Sequence, residues 1–114
     1  MARISTHVLD TAEGKPAKNV LVRLERQDAS GNWKLLASAH TDEDGRCPQL
    51  LSENDPLPPA TYRLHFDTAA YFIGRKISGF YPFVEIAFAV RQGEQHLHIP
   101  LLLSPHGYTT YRGS

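Results

Sequence analysis

The chain has 114 residues, and 12 Lys plus Arg balance 12 Asp plus Glu, a length that suits a single domain (1–114) with one core. Zero net charge provides no global field to attract nucleic acid or an anionic membrane, and no run approaches the roughly 20 apolar residues of a membrane helix. The lone Cys47 cannot close an intramolecular disulfide, and Met1-Ala2-Arg3-Ile4-Ser5 leads into strand-like residues instead of an apolar export segment. A soluble protein of a reducing compartment is expected, most simply the cytoplasm.

In chain order, residues 4 to 10 read as a first strand, with Ile4, Thr6 and Val8 on one face and Ser5, His7 and Leu9 on the other. A turn at Glu13-Gly14-Lys15-Pro16 precedes a second strand, Val20 to Arg26, with Val20, Val22 and Leu24 inward. After a reversal at Ala29-Ser30-Gly31-Asn32, Trp33 to Thr41 forms a third strand. Asp42-Glu43-Asp44-Gly45 then makes a polar turn that delivers Arg46 at a defined angle.

Residues 49 to 60 hold Pro56, Pro58 and Pro59 and read as an irregular surface excursion. Tyr62 to Asp67 alternates as a strand with Tyr62, Leu64 and Phe66 on the core face. Residues 68 to 76 are the one helical stretch, capped by Asp67 or Thr68 and stopped by Gly74. Phe83 to Val90 and His96 to Leu103 are strands joined by Arg91-Gln92-Gly93-Glu94-Gln95, a Gly-containing hairpin loop. Leu101-Leu102-Leu103 then passes through Ser104-Pro105-His106-Gly107 into Tyr108 to Tyr111, with β character until Gly113. About eight short strands and one short helix predict an all-β, immunoglobulin-like antiparallel sandwich whose outer sheet face stays free for ligands.

Chemistry concentrates in histidines and one arginine. His7 and His98 project from strands, where imidazoles flanked by apolar residues serve either as acid/base groups or as rings hydrogen-bonded to backbone. His96 and His98 share one side of a strand, opposite Leu97 and Ile99, so a zinc site of His7, His96 and His98 is one reading. No acidic or thiolate ligand stands at a telling spacing, and His96 beside the loop suits a water-facing edge residue better. Arg46 by itself is an ordinary hairpin-exit arginine, and Cys47 reads as a small buried hydrophobe. His40, His65 and His106 carry no spacing argument. Ser114, with no Gly-x-Ser-x-Gly elbow, does not read as a hydrolase nucleophile.

Three separated motifs carry a resemblance: Ser5-Thr6-His7-Val8-Leu9-Asp10, Thr41-Asp42-Glu43-Asp44-Gly45-Arg46, and His96-Leu97-His98-Ile99-Pro100-Leu101-Leu102-Leu103-Ser104-Pro105 through Tyr111-Arg112-Gly113-Ser114. In this order the chain resembles the transthyretin-related 5-hydroxyisourate hydrolase family from its first strand to its last residue. Leu97 and His106 stand where that family often has tyrosine.

The resemblance implies a transthyretin-type β-sandwich, a homotetramer of two dimers with active sites at the dimer–dimer interface, and hydrolysis of 5-hydroxyisourate in purine breakdown without metal or organic cofactor. It implies that His7, Arg46, His98 and Ser114 are catalytic, and that His7, Arg46, Tyr111 and Ser114 bind substrate. Tyr111 and Arg112 either touch substrate or brace the strand. Imidazoles near pH 7 suit proton transfer to and from water and nitrogen, and a guanidinium fork suits heterocycle oxygens and an oxyanion. The alternative is a transthyretin-like carrier of small aromatic molecules, which needs an apolar channel.

Overall fold

The computed structural model describes residues 3–114; Met1 and Ala2, which open the expected N-terminal segment, lie outside the described residues. Strand β1 (Ile4–Asp10) alternates buried and half-buried positions along its whole length. Ile4, Thr6, Val8 and Asp10 turn inward, and Ser5, His7 and Leu9 form the outer face. This is the alternation expected of a strand with one face in a core.

The described residues form nine strands and one helix. In the first sheet β2 (Lys15–Pro16), β1, β8 (Leu97–Ser104) and β9 (Gly107–Thr110) lie in that order, and β5 (Arg46–Leu51) also pairs with β1. One edge of β1 is shared, with β5 along Ile4 to His7 and β2 along Leu9 and Asp10. The second sheet runs β4 (Trp33–His40), β3 (Leu21–Gln27), β6 (Ala60–Phe66), β7 (Val84–Val90). Every pairing is antiparallel except β1 with β8, which is parallel from Ile4↔Leu97 to Asp10↔Leu103.

The facing sides of the two sheets meet in one core that includes Ile4, Val8, Val22, Leu24, Tyr62, Leu64, Phe66, Leu101 and Leu103, all buried. Each such side chain contributes about 1.5–3 kcal/mol of burial. Helix α1 (Thr68–Gly74) begins where the Asp67 carboxylate accepts the Ala70 N–H at 3.2 Å, and it sends Tyr71 and Phe72 into the core. The Tyr71 hydroxyl donates to buried Asp10 at 2.7 Å, while the other Asp10 oxygen accepts the N–H groups of Ala12 and Glu13. This carboxylate at the end of β1 is therefore satisfied without a water.

Three expectations need correction. Arg91 to Gln95 is not a hairpin loop: β7 pairs with β6 in the second sheet and β8 with β1 in the first, so the segment carries the chain from one sheet to the other. Residues 49 to 51 are not irregular but complete β5, which tolerates Pro48 because β1 is its one strand partner. The helix does end at Gly74, but the left-handed residue that turns the chain away is Lys76, with φ 60°. The turn read at Glu13 to Pro16 ends in the short strand β2, and β9 stops at Thr110, short of Gly113; the other strand boundaries agree with the pattern to within two residues.

Candidate active site

The outer face of the first sheet gathers the chemistry. Residues paired across a sheet point to the same side, and the register sets His7 opposite Arg46 on β5 and Ser5 opposite His98 on β8. Three adjacent strands thus bring an arginine, two histidines and a serine onto one surface.

Arg46 is aimed by the turn before β5. One Asp42 carboxylate oxygen accepts the N–H groups of both Asp44 and Arg46 at 2.9 Å, and the Asp42 N–H donates to the Arg46 carbonyl at 2.9 Å. Gly45 has φ 76°, and its carbonyl accepts the Val8 N–H at 2.7 Å, pinning the turn to β1. A Cβ at position 45 would collide with the Val8 carbonyl oxygen. Buried Thr41 fixes the turn from the other side, its hydroxyl donating to the Ala17 carbonyl and accepting the Val20 N–H. The Arg46 side chain is exposed and, among the described residues, has no carboxylate partner, so its donors are free for a ligand's oxygens.

His7 is held by the same turn. Its Nε2 lies 2.8 Å from the Asp44 carbonyl oxygen. A carbonyl only accepts, so Nε2 carries the hydrogen, and the neutral ring keeps its lone pair on Nδ1.

His98 is half-buried on β8, with Nδ1 2.9 Å from the Ser5 hydroxyl. Burial pulls its imidazole below the ordinary range; the Arg46 guanidinium and His7 act in the same direction, and a hydrogen bond to the Ser5 backbone opposes them. The chain returns to this residue at its far end, where Gly113 forms an isolated bridge to His98 and donates its N–H to the His98 carbonyl at 2.8 Å. That bridge carries Ser114 to the site.

A cleft of about 420 Å³ opens here, lined by Ser5, Thr6, Arg46, Pro48, His96, Leu97, His98 and Ser114. Of the sequence-predicted residues, Arg46, His98 and Ser114 share its wall. His7 does not line the cleft itself but stands beside it, close enough for its charge to act on His98. Tyr111 is not brought there: it lines a separate groove of about 220 Å³ with Ile86, Phe88, Ile99, Thr110 and Arg112. His96 is exposed and lines the cleft's rim. Among the described residues no group of three His, Cys, Asp or Glu side chains is placed to hold a metal ion.

Cys47 points away from the cleft and is buried, and burial pushes its thiol up to about 11, which makes it inert near neutral pH. His65 lies in the second sheet, bonded to Glu85 at 3.0 Å and stacked on Phe83. Sequence reasoning missed Ser5 as a partner of His98, the Asp44 carbonyl as a partner of His7, and Pro48 as part of the wall. The Ser5 link needed the parallel register of β1 and β8, and no local pattern encodes it.

The HIUase/transthyretin family model matches residues 4–113. The chain is 48% identical over 112 residues to 5-hydroxyisourate hydrolase of Mus musculus, spanning 97% of this chain and 94% of that protein. It is 43% identical over 111 residues to the enzyme of the same name from Salmonella typhimurium, covering 97% of this chain and 80% of that one. Among solved structures, Klebsiella pneumoniae 5-hydroxyisourate hydrolase superposes over the whole of both chains with a TM-score of 0.86 at 36% identity. Sea bream transthyretin in complex with thyroxine superposes with a TM-score of 0.91 at 32% identity, covering 98% of this chain and 95% of that one.

Proposed function

The chain belongs to the HIUase/transthyretin family and is a hydrolase of urate degradation, and from that premise we propose how its cleft opens 5-hydroxyisourate to 2-oxo-4-hydroxy-4-carboxy-5-ureidoimidazoline. Water attacks a ring carbonyl, the carbon–nitrogen bond breaks, and the released nitrogen takes a proton. One imidazole must remove a proton from water and one group must supply a proton to nitrogen. His7 and His98 divide that work.

Arg46 grips the heterocycle's oxygens and stabilises the oxyanion of the tetrahedral intermediate. Ser114 orients a histidine or the substrate through its hydroxyl or its α-carboxylate. Tyr111 braces the tail, a role supported by its place in the neighbouring groove beside Thr110 and Arg112. The chemistry needs no metal or organic cofactor, since the bond broken belongs to an activated cyclic amide.

The observation that carries this reading is a free guanidinium and an imidazole held below its usual pKa in one cleft with Ser114. An apolar hormone carrier, the alternative raised by the fold, calls for apolar walls; Arg46, His96 and His98 make this wall polar and basic. The test generates 5-hydroxyisourate in situ from urate with urate oxidase and follows its ultraviolet decay. Acceleration by the protein is expected, and an unchanged decay overturns the reading.

The protein acts as one domain in a homotetramer, a dimer of dimers whose clefts lie at the dimer–dimer interface, in the cytoplasm. Supporting self-association, β7 and β9 are unpaired sheet edges, and Phe80, Tyr108 and Tyr111 are exposed. Light scattering is expected to give the mass of four chains; a monomer overturns the assembly.

A further inference from the structure

His7, beside the cleft, and His98, in its wall, are wired differently. His7 has its Nε2–H committed to the Asp44 carbonyl. His98 meets at Nδ1 a hydroxyl, which can donate or accept. The direction of that one bond decides which His98 nitrogen offers a lone pair. A neutral imidazole has one donor and one acceptor, so protonating Nδ1 empties Nε2 and the reverse.

We propose that Ser5 is the positioning residue of the His98 imidazole: its hydroxyl accepts from Nδ1–H and leaves Nε2, on the far side of the ring, unprotonated to receive the proton of the attacking water. Two observations support that arrangement. The Ser5–His98 contact is built into the sheet, because the parallel pairing of β1 with β8 makes these residues register partners on the outer face. A hydrogen bond to the Ser5 backbone also favours the protonated ring, so on this strand the ring meets an acceptor beside the hydroxyl that stands 2.9 Å from Nδ1.

Gly113 closes the opposite side of the frame. Its backbone bridges His98, and a Cβ there would sit 2.6 Å from the ring carbon Cδ2. The ring is thus gripped at Nδ1 by Ser5 and along Cδ2 by the tail, and its orientation follows from both. The step balances: the lone pair of Nε2 takes the proton of water as oxygen bonds to the ring carbonyl carbon.

This inference deepens the hydrolytic reading and rests on it for the role of the freed nitrogen; the tautomer is measured without substrate. With isotope-labelled imidazole nitrogens, long-range proton–nitrogen spectra at about pH 8 report which His98 nitrogen bears hydrogen, the signals being assigned by their loss in His98→Asn. The expected result is hydrogen on Nδ1 in the unmodified protein. Ser5→Ala is expected to mix the tautomers and lower kcat about tenfold at unchanged KM, and Ser5→Thr, which keeps the hydroxyl, to restore both. Hydrogen on Nε2 in the unmodified protein overturns the proposal, as does a Ser5→Ala variant with unchanged tautomer and kcat. A protein that leaves 5-hydroxyisourate untouched yet holds hydrogen on Nδ1 supports the positioning by Ser5 and overturns only the hydrolytic reading.

Discussion

Gly113 lies directly against His98: its N–H donates to the His98 carbonyl at 2.8 Å, and a Cβ added to it would stand 2.6 Å from the imidazole Cδ2. Its φ is not in the left-handed region. A ring, not a torsion angle, therefore demands glycine here. Gly113→Ala is expected to swing His98 and cut kcat by about a hundredfold, with a melting temperature within a few degrees of the parent. Removing Gly113 and Ser114 together is expected to do the same. Steady-state rates beside thermal melts check this, and normal turnover by the shortened protein makes the tail merely structural.

His98→Asn is expected to lower kcat by at least about a hundredfold, the lower end of what a positioned acid or base contributes. The half-buried position has room for asparagine, so circular dichroism and light scattering are expected to match the parent. Near-parental turnover removes His98 from the mechanism.

Burial and then Arg46 hold His98 below the ordinary imidazole range, so the neutral ring persists further into acid than a free histidine, whose pKa is about 6.5. Activity is expected to fall on the acid side, at a pH below that value. For stability, the folded state binds this proton less readily than the unfolded chain, so His98 opposes folding as pH falls below about 6.5. Arg46→Met removes one of the causes and is expected to move the acid limb of kcat upward, besides raising KM. A flat profile from pH 5 to 8 contradicts the need for a neutral imidazole.

Gly45→Ala tests the turn that holds both Arg46 and His7. A left-handed φ costs a non-glycine residue about 1–2 kcal/mol, and collision with the Val8 carbonyl adds to it. A loss of at least about 2 kcal/mol is expected in urea unfolding, with a raised KM in whatever protein remains folded. Parental stability indicates that the turn relaxes away from β1.

What the sequence revealed follows from where each signal is stored. Strand β1 was legible because one face is buried, so the β-branched Ile4, Thr6 and Val8 recur at every second position. Read singly, His7 and Arg46 were separate candidates; the family resemblance grouped them, and the strand register sets them opposite each other. Arg91 to Gln95 looks like a hairpin loop because Gly and polar residues serve a sheet-to-sheet crossing equally well; the choice lies in which strands pair, which is non-local. Pro56, Pro58 and Pro59 concealed the end of β5, since the irregular stretch that they mark was read as starting at residue 49. Ser5 stayed hidden as a partner because a hydroxyl on an outer strand face has no pattern of its own, and Tyr111 lies in a different groove from the one its motif suggested.

The parallel seam between β1 and β8 joins parts of the chain far apart in sequence, Ser5 and His98 being 93 residues apart. During synthesis, nearly the whole polypeptide must leave the ribosome before that seam can close, and contacts of such long span form slowly. The second sheet, built from closer neighbours, can assemble earlier and wait. A chain that stops short of β8 lacks His98, Gly113 and Ser114 and has no cleft, so the reactive constellation belongs to the finished molecule.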